Sequence, residues 1–133
     1  MKRVLTMAAL AFLAGCSASA EPVSEEALVD ALKDTDVDIN EFVTEDVSDS
    51  GMVPGGYQHH ISIVLDEVAP SGGQFFICEE REVCDDVKGY FDALESLVGP
   101  HRYQSESGRV VAQLNSEVSQ GTADKIVAAI EEF

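Results

Sequence analysis

The chain has 133 residues, 45% of them apolar and 25% charged, with 8 Lys and Arg against 25 Asp and Glu, three Cys and no Trp. That length fits one domain with a real core and is short for two, and a mean hydropathy of +0.01 argues against a polytopic membrane protein. A net charge of −17 argues against nucleic-acid binding and against adhesion to anionic lipid through a basic patch.

Met1-Lys2-Arg3 is a short basic start, and Val4 to Leu13 is an apolar run. As a helix that run covers roughly 15 Å, about half a bilayer core, so it reads as a signal-peptide core and not as a stable span. It ends in Leu13-Ala14-Gly15-Cys16, which resembles the lipobox of the bacterial lipoprotein class at all four positions. The resemblance implies diacylglyceryl attachment to Cys16, cleavage before it and acylation of the new amino terminus. Several acyl chains on one residue anchor far better than one. Ser17 follows Cys16 where an Asp would signal retention, so the class's sorting pattern implies an outer-membrane anchor facing the periplasm. The alternative is an ordinary secretory signal cut near Ala18 or Ala20. On the lipoprotein reading the chain divides into a signal peptide (1–15), a lipidated Cys16 with a short tether (16–22) and one globular domain (23–133). Loss of Lys2 and Arg3 leaves six basic residues against 25 acidic ones, a charge of −19. The tether, Ser17 to Pro22, reaches at most about 20 Å.

Within the domain, Ser24 can cap a helix that runs to about Lys33, with Ala27, Leu28, Ala31 and Leu32 on one stripe. Val37, Ile39 and Val43 suggest a short exposed strand, and Thr44 to Gly56 reads as a mobile loop. His59 to Asp66 alternates cleanly and is the strongest strand. Pro70-Ser71-Gly72-Gly73 signals a turn into a second strand, Gln74 to Cys78, and the pair reads as a hairpin. A second helix is expected from near Cys84, with Val87, Tyr90, Phe91 and Leu94 on its stripe, ending at Gly99-Pro100. Arg102 to Gln104 and Arg109 to Asn115 form a hairpin signal around Ser105 to Gly108. Ala123, Ile126, Val127, Ile130 and Phe133 mark a last helix starting at Gly121-Thr122. The order predicts an α+β fold: four to five antiparallel strands with two to three helices packed on one face. A faint echo between Val29-Asp30-Ala31-Leu32 and Phe91-Asp92-Ala93-Leu94 makes the ferredoxin-like arrangement one candidate topology.

Cys78 and Cys84 enclose five residues, and in an oxidising compartment such a pair reads as a structural disulfide. Asp34, Asp36, Asp38 and Glu45 fall at calcium-loop positions, but Ile39 stands where the sharp turn needs Gly. A solvated acidic edge is the simpler account, and no metal site or cofactor is assigned. His59 and His60 are adjacent on a strand and so point to opposite faces, with His101 as the only other histidine. No nucleophile elbow, zinc-protease helix or phosphate loop occurs, so no catalytic residue is assigned.

The segment from Tyr90 through Gly99-Pro100 to Asn115 is similar to parts of small secreted bacterial proteins of unknown function, which implies no activity. The expectation is a binding or accessory module of the envelope, with the membrane as one partner through its anchor and a cationic envelope protein as another. An exposed apolar patch near Met52, Val53 and Tyr57 would suit such a module. The alternative is a small hydrolase or metal-dependent enzyme using His59 or His60 with nearby carboxylates.

Overall fold

In the computed structural model, which describes residues 21–133, Ser24 opens helix α1 (Glu25–Lys33) by accepting the Ala27 N–H at 3.0 Å. Cys16 and the signal segment lie outside the described residues. Leu28 and Leu32 form the helix's buried stripe. Strand β1 (Ile39–Thr44) follows, then the loop 45–58, strand β2 (His59–Leu65) and strand β3 (Gly72–Ile77). Helix α2 (Arg81–Ala93) passes into a single turn, α3 (Glu95–Val98), and on to strands β4 (Arg102–Gln104) and β5 (Val110–Leu114) and helix α4 (Gln120–Ile130). Among the described residues no helix is long and apolar enough to cross a membrane.

The strands make one five-stranded sheet in the order β1-β2-β3-β5-β4, antiparallel at every step. The α+β class expected from the sequence therefore holds. The ferredoxin-like topology does not. β3 and β4 each run antiparallel to β5, so they are parallel to one another with β5 between them and α2 as their connection. That is one split βαβ unit; a ferredoxin-like fold needs two, and here the meander β1-β2-β3 stands in the second one's place.

Helix placement also differs from the expectation of a single covered face. α1 and α4 share one face, where Leu28, Leu32, Ile126 and Ile130 pack on Ile61, Phe75 and their neighbours. α2 lies on the other face, where Cys84, Val87 and Phe91 pack on Phe76 and Val111, and Tyr57 from the loop joins them. The cause is visible in β3 and β5. Phe75, Phe76 and Ile77 are all buried in succession, as are Val110, Val111 and Ala112. Consecutive apolar residues on a strand point alternately up and down, so these strands need cover on both sides.

Three local boundaries shift for physical reasons. Gly72 and Gly73 belong to β3, not to the turn, which is made instead by a 3₁₀ turn at Asp66–Val68 and a cis Ala69–Pro70 peptide. A Cβ on Gly72 would come within 2.0 Å of the Ile63 carbonyl oxygen, so the neighbouring backbone leaves no room for a side chain. α2 begins at Arg81, which puts Cys84 in its first turn. α4 begins at Gln120 because Ser119 accepts the Thr122 N–H and caps it.

Candidate functional site

The alternation of β2 separates its two histidines. His59 faces the α1 side, with Nδ1 3.6 Å from Glu25 Oε2, and its side chain is 40% exposed. Glu25 also accepts a hydrogen bond from the Thr44 hydroxyl. His60 faces the α2 side and stacks on Phe76, with ring centroids 4.3 Å apart and planes at 14°, while Tyr57 meets its edge at 5.8 Å. His101 lies elsewhere, only 4% exposed, between the Val118 carbonyl (2.7 Å from Nε2) and the Tyr103 hydroxyl (2.8 Å from Nδ1). A carbonyl can only accept, so Nε2 carries the proton and, in the neutral ring, Nδ1 accepts from Tyr103. This is a structural histidine. The three rings thus occupy three separate environments.

A polar chain runs from His60 across the sheet. His60 Nε2 lies 2.8 Å from Gln74 Oε1, Gln74 Nε2 donates to Gln113 Oε1 at 2.8 Å, and Gln113 Nε2 donates to the Leu114 carbonyl at 2.9 Å. The last acceptor fixes the direction: each amide must donate toward Leu114, so His60 donates from Nε2 into Gln74. Strand register extends this line. Val43 lies opposite Ser62, Ser62 opposite Gln74, Gln74 opposite Gln113 and Gln113 opposite Arg102, one residue from each strand. Ser62, Gly72, Gln74, Gln113 and Asn115 line a shallow open hollow of about 290 Å³. This half of the sheet face is the part α2 leaves open.

Arg102 closes the row at the far edge. Its Nε donates to Asp92 Oδ1 at 2.9 Å, and Asp92 also takes Lys88 Nζ at 2.8 Å. Lys88's hydrogen bond, then Arg102's, holds the Asp92 carboxyl below the usual range, and the Asp92 bond pushes the Arg102 guanidinium up. On the loop side, burial and then the nearby Asp49 raise the Tyr57 hydroxyl above its ordinary value.

The remaining sequence candidates fall as follows. Cys78 and Cys84 are disulfide-bonded with Cα atoms 5.8 Å apart, tying the end of β3 to the first turn of α2 inside the second core. Asp34 caps the end of α1, whereas Asp38 and Glu45 flank opposite ends of the extended β1, so these residues do not wrap around a point. Asp36, Asp38, Asp66 and Glu67 border a hollow of about 230 Å³ that Lys125 also lines. Among the described residues, no group of three or more His, Cys, Asp and Glu side chains could hold a metal ion. The Met52, Val53 and Tyr57 patch does not form, because Tyr57 turns inward to 5% exposure while Met52 stays 85% exposed.

Sequence reasoning missed Gln74 and Gln113. Their signal was a glutamine set in an otherwise apolar strand, beside Phe75-Phe76 and between Ala112 and Leu114. No family model matches this chain, and no similar protein was found among curated proteins or solved structures.

Proposed function

We propose that this chain is a binding module of the cell envelope, held at the outer membrane by lipid on Cys16, that recognises a cationic envelope protein. The observation that carries the reading is the row from Val43 through Ser62, Gln74 and Gln113 to Arg102, whose three middle residues line the open hollow. Its amides are held in fixed orientations by their own hydrogen-bond chain, so a partner meets a surface that needs little ordering. The anchor suits this layout. Arg109 Nη1 donates to the Glu21 carbonyl at 3.0 Å, so the chain enters the domain beside the start of β5, at the opposite end of the sheet from Asn115 and Gly72.

The test is capture of partners from the protein's own envelope by the lipidated wild type and by Gln74→Arg/Gln113→Arg. The wild type retains a partner and the variant loses it; capture unchanged by the variant overturns the reading. Cys16→Ala should leave the membrane fraction, and wild-type mass and fractionation in that variant would end the anchoring part.

The hydrolase reading has one observation in its favour. The His59–Glu25 pair borders a hollow of about 200 Å³ lined by Pro22, Val23, Gln58, Ile77, Cys78 and Glu79. Those walls supply no hydroxyl and the Cys78 thiol is consumed in the disulfide; the nearby Thr44 hydroxyl donates to Glu25 and not to His59, so the base has no nucleophile hydrogen-bonded to it among the described residues. Ester or amide hydrolysis that disappears in His59→Gln would reverse the preference.

A further inference from the structure

We propose that β1 is a docking edge for an extended, cationic polypeptide segment, which adds to the sheet as a further strand beside Phe42 and Thr44. The proposal deepens the binding-module reading and rests on it.

The backbone supplies the first argument. β1 is the terminal strand of the sheet. Glu45 N–H donates to the His60 carbonyl at 2.8 Å, and the register pairs Thr44 with Ile61 and Phe42 with Ile63. In an antiparallel ladder hydrogen-bonded and non-hydrogen-bonded pairs alternate. Glu45, Val43 and Glu41 therefore bond to β2, and the N–H and C=O groups of Phe42 and Thr44 point away from the sheet. These two residues offer donors and acceptors at the spacing an extended chain matches. Asn40, Glu41, Val43 and Thr44 are all exposed, with Val43 at 37%. The irregularity between Ile39 and Glu41 limits regular pairing to the Glu41 to Glu45 stretch, which sets the register of an added strand.

The opposite edge is closed to such use. β4 has only three residues, and α2 and α3 tie it down: Gln104 donates to Asp85 at 2.8 Å and Arg102 pairs with Asp92 and Glu95.

Charge selects the occupant. From Asp34 to Glu80 the chain carries eleven acidic residues and no Lys or Arg. Asp38, Glu41, Glu45 and Asp46 follow β1 itself. The preceding cation, Lys33, is already placed over the Phe42 ring, 5.6 Å from its centroid. A Lys- or Arg-bearing strand gains attraction along this whole edge, while an acidic or neutral one does not. A second copy of this chain would align acid with acid, so self-pairing is disfavoured. Edge charges also deter random strand addition, and here they do so selectively, since only a cationic strand cancels them.

The experiment is an amide-resolved NMR titration of the mature chain at low salt with an eight-residue peptide of alternating Lys and Thr. A Glu-Thr peptide and two Lys-Thr peptides N-methylated on alternate residues serve as controls. The Lys-Thr peptide should shift the amides of β1, Phe42 and Thr44 foremost, and the Glu-Thr peptide should not. One N-methylated form should bind like the parent and the other should not, because a paired strand turns only alternate N–H groups to its neighbour. Glu41→Gln/Glu45→Gln, one exposed and one half-buried change, should weaken binding by about two- to fivefold per charge removed. Shifts centred away from β1, equal affinity of the two N-methylated forms, absence of binding, or dimerisation through β1 each overturn the proposal. Envelope capture that survives Glu41→Gln/Glu45→Gln overturns the edge and leaves the binding module standing; failure of capture by the wild type, or capture unchanged by Gln74→Arg/Gln113→Arg, overturns the module.

Discussion

Phe75 and Phe76 are neighbours on β3, each 0% exposed, and they belong to different cores. Changing either to Leu trims a similar apolar volume, which costs about 1–1.5 kcal/mol where the site partly relaxes. Phe76 loses more than volume. Its ring meets Tyr57 at 4.9 Å, His60 at 4.3 Å and Phe91 at 5.7 Å between centroids. Such pairs contribute about 0.5–1.5 kcal/mol each beyond burial, so three overlapping pairs add about 1–3 kcal/mol. Phe76→Leu should therefore cost about 2–4 kcal/mol and Phe75→Leu about 1–1.5 kcal/mol, against a total stability on the order of 5–15 kcal/mol. Urea unfolding followed by far-ultraviolet circular dichroism reads this directly, since the chain has no Trp to report by fluorescence. Unchanged urea slopes are needed for the comparison to stand. The pair of variants also tests the two-sided architecture, because Phe76 on an uncovered face would lose almost nothing. Equal costs, or a smaller cost at Phe76, would refute the reasoning.

Opening the Cys78–Cys84 disulfide frees a loop of about seven residues and should lower stability by about 2–2.5 kcal/mol in the loop-entropy account, several degrees in melting temperature. Calorimetry with and without reductant measures it, and free thiols in peptide maps of mature protein would contradict the pairing. Asp92, bonded by Lys88 and Arg102, has a folded pKa below its unfolded one, so its contribution is present above about pH 4 and disappears as pH falls through the folded value. Asp92→Asn should flatten that part of the acid limb of urea midpoint against pH; because its side chain is 44% exposed, the effect stays under about 1 kcal/mol. If the acidic surface is general, stability should rise from low to moderate ionic strength equally in sodium and calcium at matched ionic strength. A saturable, calcium-specific rise in melting temperature that Asp36→Asn abolishes would show a site.

Much of the fold was legible because local chemistry and tertiary packing agree. Ser24 with Glu25 and Glu26 marks a helix start in sequence and in space. The alternation Ile61, Ile63, Leu65 fixed β2, and Val87 and Phe91 fixed the buried side of α2. Where reading failed, one residue type carried two meanings. Gly72-Gly73 signals a turn by flexibility, but here it serves close backbone approach within a strand. Ser119 is a sound cap, yet Gly121 two residues on drew the helix start to itself. The second covered face was written in the unbroken runs Phe75-Phe76-Ile77 and Val110-Val111-Ala112, which a search for alternation passes over. The polar row could not be read at all, since Ser62, Gln74 and Gln113 become neighbours only through strand register.

The two cores share their wall. Phe75 and Phe76, and likewise Val111 and Ala112, are consecutive residues on strands that each core requires. Neither core can melt while leaving β3 and β5 in place for the other, because withdrawing either strand strips apolar partners from both sides at once. β5 also enters last among the strands and docks between β3 and β4, so the meander β1-β2-β3 has no finished hydrophobic neighbour until the C-terminal hairpin arrives. The shared wall favours folding and unfolding as one cooperative unit, and the β3–β5 pairing that builds it joins the strand residues farthest apart in the chain, Gly73 with Leu114 through Ile77 with Val110.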